Sequence, residues 1–207
     1  MSWRLASRLA VLISTILVVI VLVVLVRGGN NGQAGPTLQG TDLGGVSAPD
    51  FRLTDQFGNP VSLSQFRGRP VVLTFLYTHC PDTCPLIADK IHLALEKLGS
   101  DSSKVGVLAV STDPQGDDVA AAYHFSEVHH LLNQWHFLVG SSAQLTPIWS
   151  DYHVYAATAT PTAASPGTVN HTAAIYLIDK QGHERIYLSE DFDPNVMAND
   201  LRALLTE

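Results

Sequence analysis

An α/β fold, built on a central sheet with parallel strand pairs and helices on both faces, is predicted by three observations. Short runs of β-branched, aromatic and aliphatic residues alternate with segments of helical apolar spacing from residue 70 onward. The first run, PVVLTFLY from Pro70 to Tyr77, carries no charge and reads as a buried strand, with the helix start signal Pro85 soon after it. The second, KVGVLAVS from Lys104 to Ser111, returns only after a helix-length segment, as parallel strands flanked by helices require.

The elements follow in order. Eighteen uncharged residues, Leu9 to Val26, are preceded by Arg4 and Arg8 and just reach the length of a membrane span. The run is longer than a usual signal core, and Arg27-Gly-Gly-Asn-Asn offers no small-x-small cleavage site, so residues 1–27 read as a single transmembrane anchor. The paired arginines favour a cytoplasmic N-terminus and an extracytoplasmic soluble domain. Residues 28–47, rich in Gly, Asn, Gln, Ser and Thr, read as a flexible linker. The folded domain, 48–207, opens on a β-hairpin: Phe51 and Leu53 alternate with polar residues, Gly58-Asn59 turns, and Val61 and Leu63 alternate again. A helix from Pro85 to Leu98 places Ile87, Ile91, Leu95 and Leu98 on one face and stops at Gly99. After the second strand come a helix from Asp118 to about Leu132, a short strand HFLV at His136 to Val139, and a helix that Pro147 breaks or restarts. Ala156 to Val169 reads as an exposed low-complexity loop. A fourth strand, Ala173 to Asp179, turns at Gly182 into Arg185 to Leu188, and a helix from Pro194 to Leu205 closes the chain.

Charge and cysteine usage narrow the chemistry. Setting aside Arg4, Arg8 and Arg27 leaves nine Lys and Arg against nineteen Asp and Glu, a formal charge of −10. An acidic domain is a poor partner for nucleic acid and a better one for a cation or a basic protein. A secreted disulfide framework scatters its cysteines, whereas both cysteines here, Cys80 and Cys84, belong to one motif, Cys-Pro-Asp-Thr-Cys. In an oxidising compartment such a pair is a redox-active disulfide or a metal clamp. At a helix start, backbone N–H groups and the helix dipole favour thiolate.

A cysteine pair closing the first strand–helix unit points to a thioredoxin-like arrangement. In that fold the loop entering the fourth strand faces the cysteine turn; redox enzymes usually present a cis-proline there, and this chain presents Asn170-His171. Two thiolates and one imidazole suit Cu(I), and a further ligand lets Cu(II) be held as well; zinc also accepts the set. Cys80, Cys84 and His171 are therefore the metal-ligating candidates, with Cys80 and Cys84 also the redox pair.

TFLYTHCPDTCP, the STDP at Ser111 to Pro114 and VNHTAAIYLIDKQG resemble the SCO/SenC family of copper-binding thioredoxin-like proteins over roughly Ala48 to Leu205. The resemblance implies copper as the cofactor, with Cys80, Cys84 and His171 matching the family's ligands. It implies a membrane-anchored extracytoplasmic chaperone that assists assembly of the cytochrome c oxidase copper centre. The partners implied are the oxidase subunit carrying that centre, a copper donor and a thiol reductase. A thiol-disulfide reductase that keeps the oxidase cysteines reduced is the alternative, with Cys80 attacking and Cys84 resolving. A thiol peroxidase is disfavoured, because no arginine stands near Cys80. The arginine and threonine the family usually carries after STDP are absent here, where Gln115-Gly116-Asp117-Asp118 stands. His79 reads as a turn histidine with fourth-ligand potential, Asp82 as a turn or cap residue, and Asp113 as a strand-end cap near the site. His129-His130 reads as mid-helix, where neighbours face different ways. The other histidines read as surface or packing residues, and Trp135, Tyr123 and Phe125 as core.

Overall fold

The computed structural model of the chain describes residues 12–21, 38–158 and 169–207; the side chains of residues 157, 158 and 169–171 lie outside that description. Two compact units are present, Met1–Pro36 and Thr37–Glu207. In the first, residues 12–21 form helix α1 with exposed side chains. Among the described residues no helix is long and apolar enough to cross a membrane. The rest of the apolar run, 9–11 and 22–26, lies outside the described residues.

In the second unit the order is β1 (Thr41–Ser47), β2 (Arg52–Thr54), β3 (Pro60–Ser62), β4 (Val71–Leu76), α2 (Thr83–Leu98), β5 (Gly106–Ser111), α3 (Val119–Val128) and β6 (His136–Leu138). Then follow α4 (Ser142–Asp151), β7 (Ala156–Thr158), β8 (Val169–His171), β9 (Ile175–Ile178), β10 (His183–Leu188) and α5 (Pro194–Thr206). The main sheet has six strands in the order β1-β10-β9-β4-β5-β6. β4–β5 and β5–β6 are parallel, and the other pairs are antiparallel. All six residues of β4 and all six of β5 are buried, as expected for strands covered on both faces.

The pleat divides these strands between two cores. Val72, Leu76, Val107, Ala109, Ile175 and Leu177 pack with α2, α3 and α5, through Ile87, Ile91, Leu95, Phe125, Met197 and Leu201. Val71, Leu73, Phe75, Leu108, Val110 and Tyr176 face the opposite side, where the β2–β3 hairpin and α4 supply Leu53, Val61, Leu145, Ile148 and Trp149. Each of the large aliphatic side chains contributes about 1.5–3 kcal/mol through burial, so both helical layers are held by the same strands. The hairpin forms as predicted, with Leu53 opposite Val61 and Gly58 at φ 81° in its turn.

Several expectations are corrected. Residues 41–47, assigned to the linker, form edge strand β1 against β10, with a bulge between Asp42 and Val46 where Gly44 and Gly45 both take φ 75°. The ends of the predicted 156–169 loop are strands: Ala156 pairs with His171 and Thr158 with Val169, while residues 159–168 lie outside the described residues. α3 stops at Val128, so His129 and His130 lie beyond its end, with His130 at φ 58°. α4 runs through Pro147 without a break and forgoes one internal hydrogen bond. Tyr123 is exposed, its ring edge-on to Phe57 at 6.0 Å, whereas Trp135 and Phe125 are core as expected.

Candidate metal centre at the cysteine turn

β4 ends at Leu76, and the chain then turns across the C-terminal end of the parallel strands. Asp82 is the helix cap: its carboxylate accepts from the Thr83 backbone N–H at 2.6 Å. α2 thus starts two residues earlier than Pro85 suggests, and Cys84 is its second residue. Pro85 sits in the first turn, where a missing N–H leaves no helical bond unmade.

The two sulfurs share one small volume. The Cys84 backbone N–H donates to Cys80 Sγ at 3.3 Å, which favours negative charge on that sulfur. Cys80 Sγ also lies 3.8 Å from the Asp82 carboxylate. Cys80 is 8% exposed and Cys84 fully buried. A hydrogen bond to Cys80, followed by burial, pushes the Cys84 thiol far above the ordinary cysteine range. At neutral pH Cys84 therefore keeps its proton until a cation or an oxidant replaces it.

A carboxylate absent from the sequence-based candidates fixes this turn. Asp117, 7% exposed, accepts from the Thr78 backbone N–H at 2.9 Å, the Thr78 hydroxyl at 2.6 Å and the Ser111 hydroxyl at 2.6 Å. Burial pushes its carboxyl up, against the pull of the Ser111 and Thr78 hydroxyls. The Thr78 hydroxyl gives its single proton to Asp117, so the ring of exposed His79, 3.0 Å from that oxygen, donates through Nδ1. Asp113 caps the turn after β5 by accepting from Gln115 N–H. Gly116 lets Asp113 and His79 approach each other: a Cβ there would lie 2.3 Å from Asp113 Oδ2 and 3.4 Å from His79 Nδ1. Trp149 Nε1 donates to the Ser111 carbonyl at 3.0 Å, tying α4 to the same strand end. The signal for Asp117 in the sequence was its position just past a strand end, indistinguishable there from Asp113 and Asp118.

His171 is the last residue of β8, and its imidazole lies outside the described part of the structure. Its backbone can be followed. β9 runs antiparallel to β4 with Ile175 opposite Thr74, and the Thr74 hydroxyl donates to the Ala174 carbonyl at 3.2 Å. Continuing that register sets Ala174 and Ala173 beside Phe75 and Leu76 and carries the chain at 171–172 past the C-terminal end of β4, the end from which the cysteine turn departs. Among the described residues no group of three His, Cys, Asp or Glu already surrounds a metal position. The donor set of two sulfurs in one pocket suits a soft cation. A cleft of about 490 Å3, bordered by Phe66, Arg69, Trp135 and His136, lies at the opposite strand ends, by Gly106.

The sequence model of the SCO1/SenC family matches residues 40–206. The chain belongs to the SCO1/SenC family. The mouse mitochondrial protein SCO2 homolog is 34% identical over 141 residues, 66% of this chain and 54% of the mouse protein. The chain spans about half the length of the curated relatives it matches. ScoI from Bradyrhizobium japonicum, solved with copper bound, is 32% identical with a TM-score of 0.68, covering 76% of this chain and 98% of that one. Apo Sco1 from Thermus thermophilus is 31% identical with a TM-score of 0.72, covering 83% and 99%. The thioredoxin-like Sco fold expected from the sequence is therefore present, and the SCO1/SenC match begins at residue 40, where β1 is about to start.

Proposed function

We propose that this SCO1/SenC protein binds copper between Cys80, Cys84 and His171 and passes it to the copper centre of a cytochrome c oxidase. The observation that carries the reading is the approach of Cys80 Sγ to the first turn of α2, where it accepts from the Cys84 N–H at 3.3 Å and is hydrogen-bonded with the Cys84 thiol. It is supported by the register that leads β8 towards the same strand ends, and by a 32%-identical relative solved with copper bound. Copper is cargo in this account. The residues would hold it as a soft cation, and an incoming thiolate of the acceptor would displace one ligand at a time, beginning with Cys80, the less enclosed of the two sulfurs. The apolar run 9–26 anchors the domain to a membrane, on whose extracytoplasmic side the acceptor stands.

Anaerobic Cu(I) titration of the full chain against a competing chelator tests the ligand set. One equivalent is expected, with affinity lowered at least tenfold by His171→Ala, Cys80→Ser or Cys84→Ser. Unchanged stoichiometry and affinity in His171→Ala would remove the imidazole from the site.

The unequal burial of the two cysteines favours a second activity of the same pair. Cys80, the less enclosed of the two, attacks a partner disulfide as thiolate and releases one partner sulfur. Cys84 then gives up its proton to that leaving sulfur and attacks the mixed disulfide at Cys80, so that the partner leaves as a dithiol and this chain keeps the Cys80–Cys84 disulfide. His171→Ala is expected to retain this exchange.

A further inference from the structure

Two lone-pair groups, the His92 ring and the Glu96 carboxylate, face each other on α2, and the His130 ring stands near them. The His92 ring places Nδ1 3.3 Å from Gln134 Oε1, an acceptor, so Nδ1 carries the proton. The lone pair is then on Nε2, which lies 3.6 Å from the Glu96 carboxylate, one helical turn along. That distance is long for a hydrogen bond. It is close to the separation of about 3.3–3.4 Å between neighbouring ligand atoms around a tetrahedral ion with bonds of about 2.0–2.1 Å. The His130 ring centroid is 5.9 Å from that of His92. Two imidazoles bound to one ion put their centroids about 5–6.5 Å apart, depending on the angle at the metal. His130 is held there by backbone in the left-handed region, φ 58°, just past the end of α3, in a conformation that few residues with a side chain adopt.

We propose that His92, His130 and Glu96 form a second cation site, distinct from the cysteine turn, for a borderline divalent ion such as Cu(II) or Zn(II). Imidazole and carboxylate suit these ions, and Gln134 supplies the hydrogen bond that commonly orients a ligating histidine from its far nitrogen. As placed, the three side chains stand too far apart to hold an ion together. Glu96, 60% exposed at its side chain, and the exposed His130 have room to turn towards His92 Nε2, and the proposal requires that they do so. The neighbouring His129 does not join them, because its Nδ1 is engaged by the Asp89 carboxylate at 2.7 Å. Cys84 lies eight residues before His92, about 12 Å back along the same helix, so α2 would carry a thiolate site and an imidazole site at separate depths.

The test separates this site from the cysteine site. The full chain carrying Cys80→Ser, Cys84→Ser and His171→Ala is titrated with Cu(II) and followed by electron paramagnetic resonance and by competition with a weak chelator. One tightly held equivalent with nitrogen hyperfine coupling from two imidazoles is expected. Adding His92→Gln or His130→Asn, the latter tolerant of the left-handed backbone, is expected to weaken it about 10–100-fold, and Glu96→Gln less. His124→Ala, a surface histidine elsewhere on α3, is expected to leave it unchanged, with circular dichroism confirming folding throughout. Absence of that equivalent, or binding equal in the His92→Gln and His130→Asn chains, would overturn the proposal while leaving the cysteine site untouched.

Discussion

The carboxylate of Asp117 receives both the backbone N–H and the hydroxyl of Thr78, at 2.9 and 2.6 Å, and so joins the residue two positions before Cys80 to the end of β5. Removing it strands three donors: these two and the Ser111 hydroxyl. Asp117→Ala is expected to destabilise the domain by about 2–3 kcal/mol, because part-buried donors lose a charged acceptor. In a thermal melt that is a fall of about 5–10 °C for a domain of this size. Asp113→Ala, which loses one turn hydrogen bond at a partly exposed position, is expected to stay within about 0.5 kcal/mol. Equal losses would show that the anchor has been wrongly assigned.

The two cysteines differ in reach and in protonation. Iodoacetamide is expected to label Cys80 at least tenfold faster than Cys84 at neutral pH, because Cys84 is enclosed and holds its proton through its contact with Cys80. Peptide mass spectrometry of briefly alkylated, reduced protein reads the ratio directly. Comparable rates would contradict the geometry of the turn.

Whether the folded domain begins before residue 48 can be tested at one glycine. A Cβ on Gly40 would lie 2.2 Å from Ile186 Cγ2 and 2.8 Å from Leu188 Cδ2, both buried in the sheet. Gly40→Ala is expected to cost about 1–3 kcal/mol by overpacking, measured by urea unfolding. A slack tether would tolerate the change without effect.

That region marks the limit of what the sequence discloses. The strands β4 and β5 and the helix α2 announce themselves because both faces of the strands, and one face of the helix, are apolar. β1 does not, since its pairing with β10 comes from backbone hydrogen bonds, and two glycines at positive φ interrupt any alternation. The strands β7 and β8 are three residues each and pair only with one another, so Ala156 and Val169 look like loop residues. The ends of α3 and α2 were misplaced because caps decided them: Asp82 starts α2 through its side chain, and α3 gives way at His129 despite the apolar Leu131 and Leu132 beyond it. The cysteine pair was legible because its chemistry is local. Asp117 was not, because nothing in the order of residues distinguishes it from its acidic neighbours until Thr78 is brought across to it.

A pH dependence follows from Asp179. Burial acts to raise its carboxyl, but the His183 backbone N–H at 2.8 Å, the His183 ring and Arg185 outweigh it and hold the group below its usual value of 3.8. A depressed carboxyl contributes stability that is present above the unfolded value and is lost as pH falls through the folded one. Asp179→Asn is therefore expected to be less stable than the parent at pH 7, by about 1.5–3 kcal/mol for hydrogen bonds to a charged group, with the gap closing below pH 3.8. Chemical unfolding at pH 7 and at pH 3 measures both; a gap that widens in acid would reverse the sign.

X-ray absorption at the copper edge of the anaerobically loaded full chain tests the central claim most directly. Two sulfur scatterers at about 2.3 Å and one imidazole nitrogen at about 2.0 Å are expected, with the imidazole signature missing from His171→Ala. A sphere of sulfur alone in the parent chain, or an imidazole that persists in His171→Ala, would contradict it.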